Sequence, residues 1–233
     1  DAINDCTRVI ELDGAPVEQV AKALFNRGLC HGQAGRHDDA INDYTRVIEL
    51  DGAPVEQVAM ALVNRGGSHC QAGRLDDAIN DCTRVIELDG APVEDVARAW
   101  NSLGWNHLLA GDAQLAERAI RHALELQPEM DTAHFNIALV QLLAGDWRSG
   151  LRAFEAAIER FPEFAAGNQD DPAFVWNLVL VSGRDPAVWK ERLGAFVETY
   201  DRHKLLGVLG SGLVKSLNHF RRERITESVL GDW

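Results

Sequence analysis

One segment occurs three times, almost unchanged, in this chain of 233 residues. Its copies begin at Asp1, Asp39 and Asp77, each 38 residues after the last. A period of this length is typical of helical repeat arrays, in which each unit buries its apolar face against its neighbours. A weaker copy relates residues 110–128 to residues 144–162. The repeats therefore predict an array that extends to about residue 162.

Each unit has the pattern of two helices. In the first unit Pro16 suits the first turn of a helix, and Gly35 can take the left-handed conformation that closes it. Asp38 and Asp39 then begin a second helix, whose apolar residues recur on one face. No segment alternates polar and apolar residues for long enough to form a strand. The pattern predicts an all-α fold of antiparallel helix pairs stacked as a solenoid.

The third copy resembles the tetratricopeptide repeat family. The array as a whole resembles a bacterial-type member of this family with 38-residue repeats. The residues that carry the resemblance are Leu103, Gly104, Gly111, Asp112, Ala116, Ile120, Ala123, Leu124 and Pro128. The first two copies keep the family's glycines but have Arg27 and Arg65 where the family usually has leucine. The resemblance implies a right-handed superhelical solenoid over residues 1–162. Its predicted parts are a leading half repeat over 1–13, helix pairs at about 16–50, 54–88, 92–126 and 131–161, and a C-terminal helical extension or cap over 163–233.

The resemblance also implies a non-catalytic scaffold whose first helices line a concave groove for a peptide or a helical segment. The first two copies differ at seven positions, and four of these fall on the five sites that line the groove in the family. Random placement would put about one difference there, so the comparison favours diversification of the groove over drift. The predicted groove residues are Lys22, Phe25, Leu29, Gln33, Met60, Val63, Cys70, Gln71, Asn101, Trp105, Leu108, Leu109, Phe135, Leu139 and Leu142.

Three alternatives stay open at this point. The C-terminal helices could themselves cover the apolar part of the groove, because the end of a solenoid needs a cap. The chain begins in the middle of a repeat, so we expect a fragment of something longer, which could be the regulatory or sensor region of a multidomain enzyme. An exposed terminal repeat could also support self-association.

Charge and composition exclude several classes of partner. The chain has 23 Lys and Arg residues against 36 Asp and Glu residues, a net charge of −13, which argues against non-specific binding to nucleic acid. No apolar run approaches the roughly 18 residues that span a bilayer, and no leader-like segment begins the chain. The four cysteines are expected to be reduced thiols. We therefore expect a cytoplasmic protein that binds neither membranes nor nucleic acid.

No grouping of residues predicts catalysis or metal binding. His31, His69 and His107 recur at the repeat period, which places them about one helix pair apart and too far for one metal ion. The glycines before Lys215 loosely resemble a phosphate loop, but Leu213 follows Gly212 where the motif requires lysine. We predict that the chain is not an enzyme and that it has no cofactor or metal.

Arg27 and Arg65 carry a further prediction. Each stands at a site that is usually apolar and lies between helices, where an unpartnered charge is very costly. We expect each guanidinium to pair with an acidic group of an adjacent helix, such as Asp43 or Asp81, or to reach solvent with its tip.

Overall fold

A computed structural model describes residues 2–144 and 147–161 of the chain, and all regular secondary structure in this part is helical. This confirms the predicted all-α fold. In the described part the helices are α1 (Ala2–Ile10), α2 (Val17–Gln33), α3 (His37–Ile48), α4 (Val55–Gln71), α5 (Leu75–Ile86), α6 (Val93–Leu109), α7 (Ala113–Leu126), α8 (Asp131–Leu143) and α9 (Trp147–Arg160). These helices fall short of the length and hydropathy that a bilayer-spanning segment requires.

The chain divides into two compact units, residues 1–133 and 134–233. In the first unit α2 pairs with α3, α4 with α5, and α6 with α7, and each pair contacts the next. The first helices of the pairs also touch, α2 against α4 and α4 against α6, while α1 packs on α2. The unit is therefore a stack of helix pairs. In the second unit, described as far as residue 161, the ring centroids of His134 and Phe161 are 5.2 Å apart. The predicted extension over 163–233 lies outside the described residues.

Proline and glycine set the ends of the first helices, as the sequence predicts. Pro16 stands immediately before α2, and its carbonyl accepts a hydrogen bond from the Val20 amide at 3.0 Å. Gly35 follows α2 with a φ of 71°, a left-handed conformation that residues with a side chain rarely adopt. The Arg36 amide then donates to the His31 carbonyl at 2.9 Å, which satisfies one of the last carbonyls of the helix.

Glycine in the middle of a first helix allows the two helices of a pair to approach closely. A Cβ placed on Gly104 would lie 2.5 Å from Cγ1 of Ile120 and 2.9 Å from the Ala116 carbonyl oxygen. A Cβ on Gly28 would lie 2.7 Å from the ring of Tyr44. Gly28 and Gly104 are therefore places of contact between helices, since all three distances are shorter than van der Waals separation.

Candidate functional site

The candidate site is the surface that α2, α4 and α6 form side by side. We call it the first-helix face and define it by the predicted groove residues of these helices that remain accessible. Three of them are exposed and six are half-buried: Lys22, Gln33 and Gln71, then Leu29, Met60, Cys70, Asn101, Trp105 and Leu109. Because α4 contacts both α2 and α6, these side chains belong to one continuous surface.

Five other predicted groove residues are buried in the fold. Phe25 belongs to the core cluster of the first helix pair, where its ring centroid lies 5.7 Å from that of Tyr44. Val63 belongs to the next cluster, and Leu108 is 2% exposed. Of the predicted groove residues in the second unit, Phe135 and Leu139 are buried, whereas the side chain of Leu142 lies outside the described residues. A ligand could reach little of the surface of these buried side chains, so we do not include them in the first-helix face.

The accessible apolar side chains rest on the core beneath them. Leu29 and Met60 pack at the edge of the first core cluster while part of each remains exposed. A side chain anchored in this way loses little further rotamer freedom when a ligand covers it. The centre of the first-helix face is therefore suited to apolar contact.

The charges on or beside this face are paired locally. Lys22 Nζ lies 2.7 Å from Glu18 Oε1 one helical turn away, and this hydrogen bond lowers the pKa of the Glu18 carboxyl. Arg98 Nη1 lies 3.0 Å from Oδ1 of Asp95, whose pKa burial raises. The Lys22–Glu18 pair is exposed, and an exposed pair of this kind contributes little to stability and can exchange partners easily. Lys22 and Arg98, the exposed cations of the two pairs, could hydrogen-bond to a ligand.

Cys70 is the one thiol among the residues that define the face, and burial raises its pKa. A raised pKa keeps the thiol protonated near neutral pH, where it is a weak nucleophile and a poor metal ligand. In the part of the chain that the structure describes, no group of three or more His, Cys, Asp or Glu side chains could hold a metal ion.

Ion pairs behind the face confirm the prediction that Arg27 and Arg65 pair with acidic groups of adjacent helices. Arg27 donates from Nε to Asp43 Oδ2 at 2.8 Å and from Nη2 to Oδ1 at 2.6 Å, and Nη1 donates to Thr7 Oγ1 at 3.0 Å. One guanidinium thus joins α1, α2 and α3. Its partner Asp43 is buried, so this bidentate pair lies largely out of water.

The second helix pair, α4 with α5, reproduces this arrangement. Arg65 pairs with Asp81 at 2.8 and 2.6 Å, and its Nη1 donates to Thr45 Oγ1 at 2.8 Å. His69 lies beside the pair, with Nε2 3.9 Å from Asp81 Oδ2 and Nδ1 3.9 Å from Asp77 Oδ2. Burial lowers the pKa of His69, and the two carboxylates oppose this shift.

The third helix pair replaces the ion pair with apolar groups. Leu103 stands at the position of the arginine and Ala119 at that of the aspartate, and both pack with Cys82 in one core cluster. The sequence predicted the aspartates as partners but not the threonines. The sequence contained a pattern that could have predicted the threonine contacts, since Thr7 and Thr45 recur at the repeat period together with the arginines that they contact.

Comparison with known proteins supports the repeat architecture. Family models described as tetratricopeptide repeat match residues 21–52, 57–129 and 132–163. No curated protein matches the chain in a sequence comparison.

Several solved structures are similar to this chain. One of MamA has a TM-score of 0.55 at 22% identity and covers 70% of this chain and 89% of its own. One of YrrB has a TM-score of 0.54 at 16% identity and covers 88% and 93%. MamA from Desulfovibrio magneticus RS-1, from residue 41 to its end, has a TM-score of 0.52 at 18% identity and covers 70% and 94%. At these identities the likeness shows a shared helical repeat fold.

Proposed function

Because the chain belongs to the tetratricopeptide repeat family, we propose that it is a non-catalytic scaffold that binds a peptide or a helical segment of another protein on its first-helix face. One observation carries the proposal. Between the first two copies, three accessible positions of this surface differ: Lys22 becomes Met60, Leu29 becomes Gly67 and Gly32 becomes Cys70. The Arg–Asp pairs behind the surface are the same in both copies. The scaffold is kept while the surface that a partner would touch changes.

Apolar burial would supply the binding free energy. Leu29, Met60, Trp105 and Leu109 are half-buried before any partner binds. At about 25 cal/mol for each Å² of apolar surface covered, burying their exposed parts contributes a few kcal/mol. An amphipathic helix or an extended peptide with apolar anchors could provide such cover. YrrB, whose structure is similar, is described as a tetratricopeptide repeat protein with an unusual peptide-binding site, which is consistent with the binding of a peptide here.

Two finer predictions belong to the same proposal. Phe135 and Leu139 were predicted to bind a ligand as well, and since both are buried they would have to become accessible to do so. Self-association through an exposed terminal repeat would make the chain its own partner, and sedimentation of the purified chain over a range of concentrations tests this.

Selection of helical peptides from a displayed library on the immobilised chain tests the proposal. We expect Trp105→Ala combined with Leu109→Ala to weaken a selected peptide by at least about tenfold, since two apolar anchors are lost. The matched control is Leu115→Ala combined with Leu126→Ala, which removes two exposed leucines from the second helix α7. The control variant should bind the peptide like the unaltered chain. If both variants weaken peptide binding equally, or if neither variant weakens it, the binding surface lies elsewhere.

A further inference from the structure

On the first-helix face, helix α4 has lost one cation and one large apolar side chain that α2 has. Lys22 of α2 becomes Met60, and Leu29 becomes Gly67. The glycine that faces the second helix of each pair, Gly28 or Gly66, is the same and is buried in both. These two changes therefore alter the accessible surface of the array, whereas the close approach behind it is kept.

The loss of the cation leaves a carboxylate without a partner. In α2, Lys22 Nζ lies 2.7 Å from Glu18 Oε1. Glu56 is the equivalent glutamate of α4, and Met60 stands one turn after it in place of the lysine. Glu56 is exposed, and no cation of the described residues forms an ion pair with it. This end of the α4 surface therefore has a negative charge that the chain does not neutralise locally.

The loss of the leucine opens a gap. Gly67 is exposed, and a Cβ added to it would meet no heavy atom within 4 Å. Leu29 of α2 and Trp105 of α6 stand at the equivalent positions, and both are half-buried. Because α4 contacts both of these helices, Gly67 lies in a row whose other two members are large apolar side chains. We call the open space over Gly67 the α4 gap.

The carboxylate and the gap are spaced like positions on one face of a helix. Glu56 and Gly67 are eleven residues apart in α4. This corresponds to about three turns and a rise of about 16 Å, so both residues lie on the same side of α4. A partner helix that lies along α4 would present its own residues at the same spacing, and amphipathic helices are bound in apolar grooves in this way.

We propose that the partner of the first-helix face is a basic amphipathic helix that lies along α4, with a Lys or Arg at Glu56 and a large apolar side chain in the α4 gap. The inference rests on the proposed function, since it names the partner of the same face. The partner's cation supplies the charge that Lys22 supplies to Glu18 in α2. Its apolar side chain occupies the place that Leu29 has in α2, and it packs between Leu29 and Trp105.

Peptides selected on the chain test the chemistry of the partner. Helical peptides from a displayed library are selected on the immobilised unaltered chain and sequenced. We expect them to be enriched in Lys or Arg at a position about eleven residues from a Trp, Phe, Leu or Met, which is the spacing that a helix along α4 requires. Synthetic copies of the selected peptides, labelled with a fluorophore, are then titrated with variants of the chain.

One pair of variants tests the gap together with the charge. Met60→Lys combined with Gly67→Leu gives α4 the two side chains that α2 has, and it should weaken a selected peptide by at least about tenfold. The matched control is Met60→Leu combined with Gly67→Ala, which adds no charge and only one methyl group to the gap. The control should bind within about threefold of the unaltered chain. Circular dichroism checks that both variants remain helical.

A second pair isolates the charge. Glu56→Gln should weaken the peptide by about three- to tenfold and should make its affinity less sensitive to salt between about 0.05 and 0.5 M NaCl, because the screened ion pair is lost. Glu49→Gln changes another exposed carboxylate, at the end of α3, and should alter neither the affinity nor its dependence on salt.

The outcomes separate this inference from the proposed function. If Trp105→Ala with Leu109→Ala weakens the selected peptides while Met60→Lys with Gly67→Leu does not, the first-helix face binds peptides but the assignment to α4 is wrong. Selected peptides without enriched basic residues, or equal effects of Glu56→Gln and Glu49→Gln, would also overturn the inference. If no peptide is selected, the proposed function and this inference fail together.

Discussion

Arg65 holds Asp81 through two hydrogen bonds that cross from α4 to α5, from Nε at 2.8 Å and from Nη2 at 2.6 Å. The aspartate side chain is 2% exposed and that of the arginine 13%, so the pair lies mostly out of water. In the third helix pair Leu103 and Ala119 stand at the corresponding positions. The chain thus contains an ionic pair and an apolar pair at equivalent positions of two helix pairs. Substitutions can convert the ionic pair into the apolar one and so compare their stability.

Removing one member of the ion pair should destabilise the first unit strongly. Arg65→Leu leaves Asp81 buried without its cation, and breaking a buried pair in this way costs about 3–5 kcal/mol. Adding Asp81→Ala to Arg65→Leu reproduces the apolar pair of the third helix pair, α6 with α7. The double variant should therefore recover much of the lost stability. Urea unfolding of the single and double variants, followed by circular dichroism, measures the coupling between the two positions. A double variant less stable than Arg65→Leu alone would contradict the expected recovery.

Alanine in place of glycine should have opposite effects at two positions of similar helical structure. At Gly104 a Cβ would lie 2.5 Å from Ile120 Cγ1, so Gly104→Ala should force α6 and α7 apart and destabilise the unit by about 1–3 kcal/mol. At Gly67 no heavy atom lies within 4 Å of the added Cβ. Gly67→Ala should therefore stabilise helix α4 by about 0.5–1 kcal/mol. Thermal unfolding of the two variants checks the signs, and a loss of stability in both would show that Gly67 has a role beyond its backbone.

The stability of the first unit should fall below about pH 6.5 in part because of His69. Burial lowers its pKa in the folded state, against the opposing carboxylates of Asp77 and Asp81 and with the help of Arg65 and Arg74. The unfolded chain therefore binds a proton more readily than the folded chain. This contribution is present above the unfolded pKa and is lost as the pH falls through the folded pKa.

His69→Gln isolates this effect. We expect the difference in urea midpoint between pH 7.5 and pH 5.5 to be smaller in the variant than in the unaltered chain, because the other titrating groups are common to both. A larger difference in the variant would mean that protonated His69 is stabilised by the two aspartates, with the opposite sign of linkage.

Cys82 should resist alkylation in the folded chain. Burial is the largest cause that raises its pKa to about 12, and Asp81 adds to the shift. At pH 8 the thiolate is therefore scarce and the sulfur is inaccessible. Iodoacetamide labelling followed by peptide mass mapping should modify Cys82 more slowly than Cys6 and Cys30, which are half-buried. In strong denaturant the rates should converge, and early labelling of Cys82 in the native chain would contradict the described packing.

Local pattern was enough to predict the helices and their closing glycines, because each depends on residues whose spacing is set by helical geometry. That Arg27 needs an acidic partner on an adjacent helix, or solvent, followed from the cost of an unpaired buried charge, and the structure shows that the partner is Asp43. Accessibility could not be predicted in the same way. Phe25 and Leu29 both fall on predicted groove sites, yet Phe25 is in the core and Leu29 is half-buried at its edge. The depth of a side chain depends on the helices that pack around it from other units.

The clearest case is the sequence shared by α1 and α5. Those residues by themselves determine an amphipathic helix with an aspartate on its apolar side, and they form that helix in both places. Only the tertiary structure decides that the aspartate of α5, Asp81, is buried and paired with Arg65 of α4. The physical reason is that burial and ion pairing depend on the presence of a neighbouring helix, whereas helix formation depends mainly on interactions within the segment and along one face.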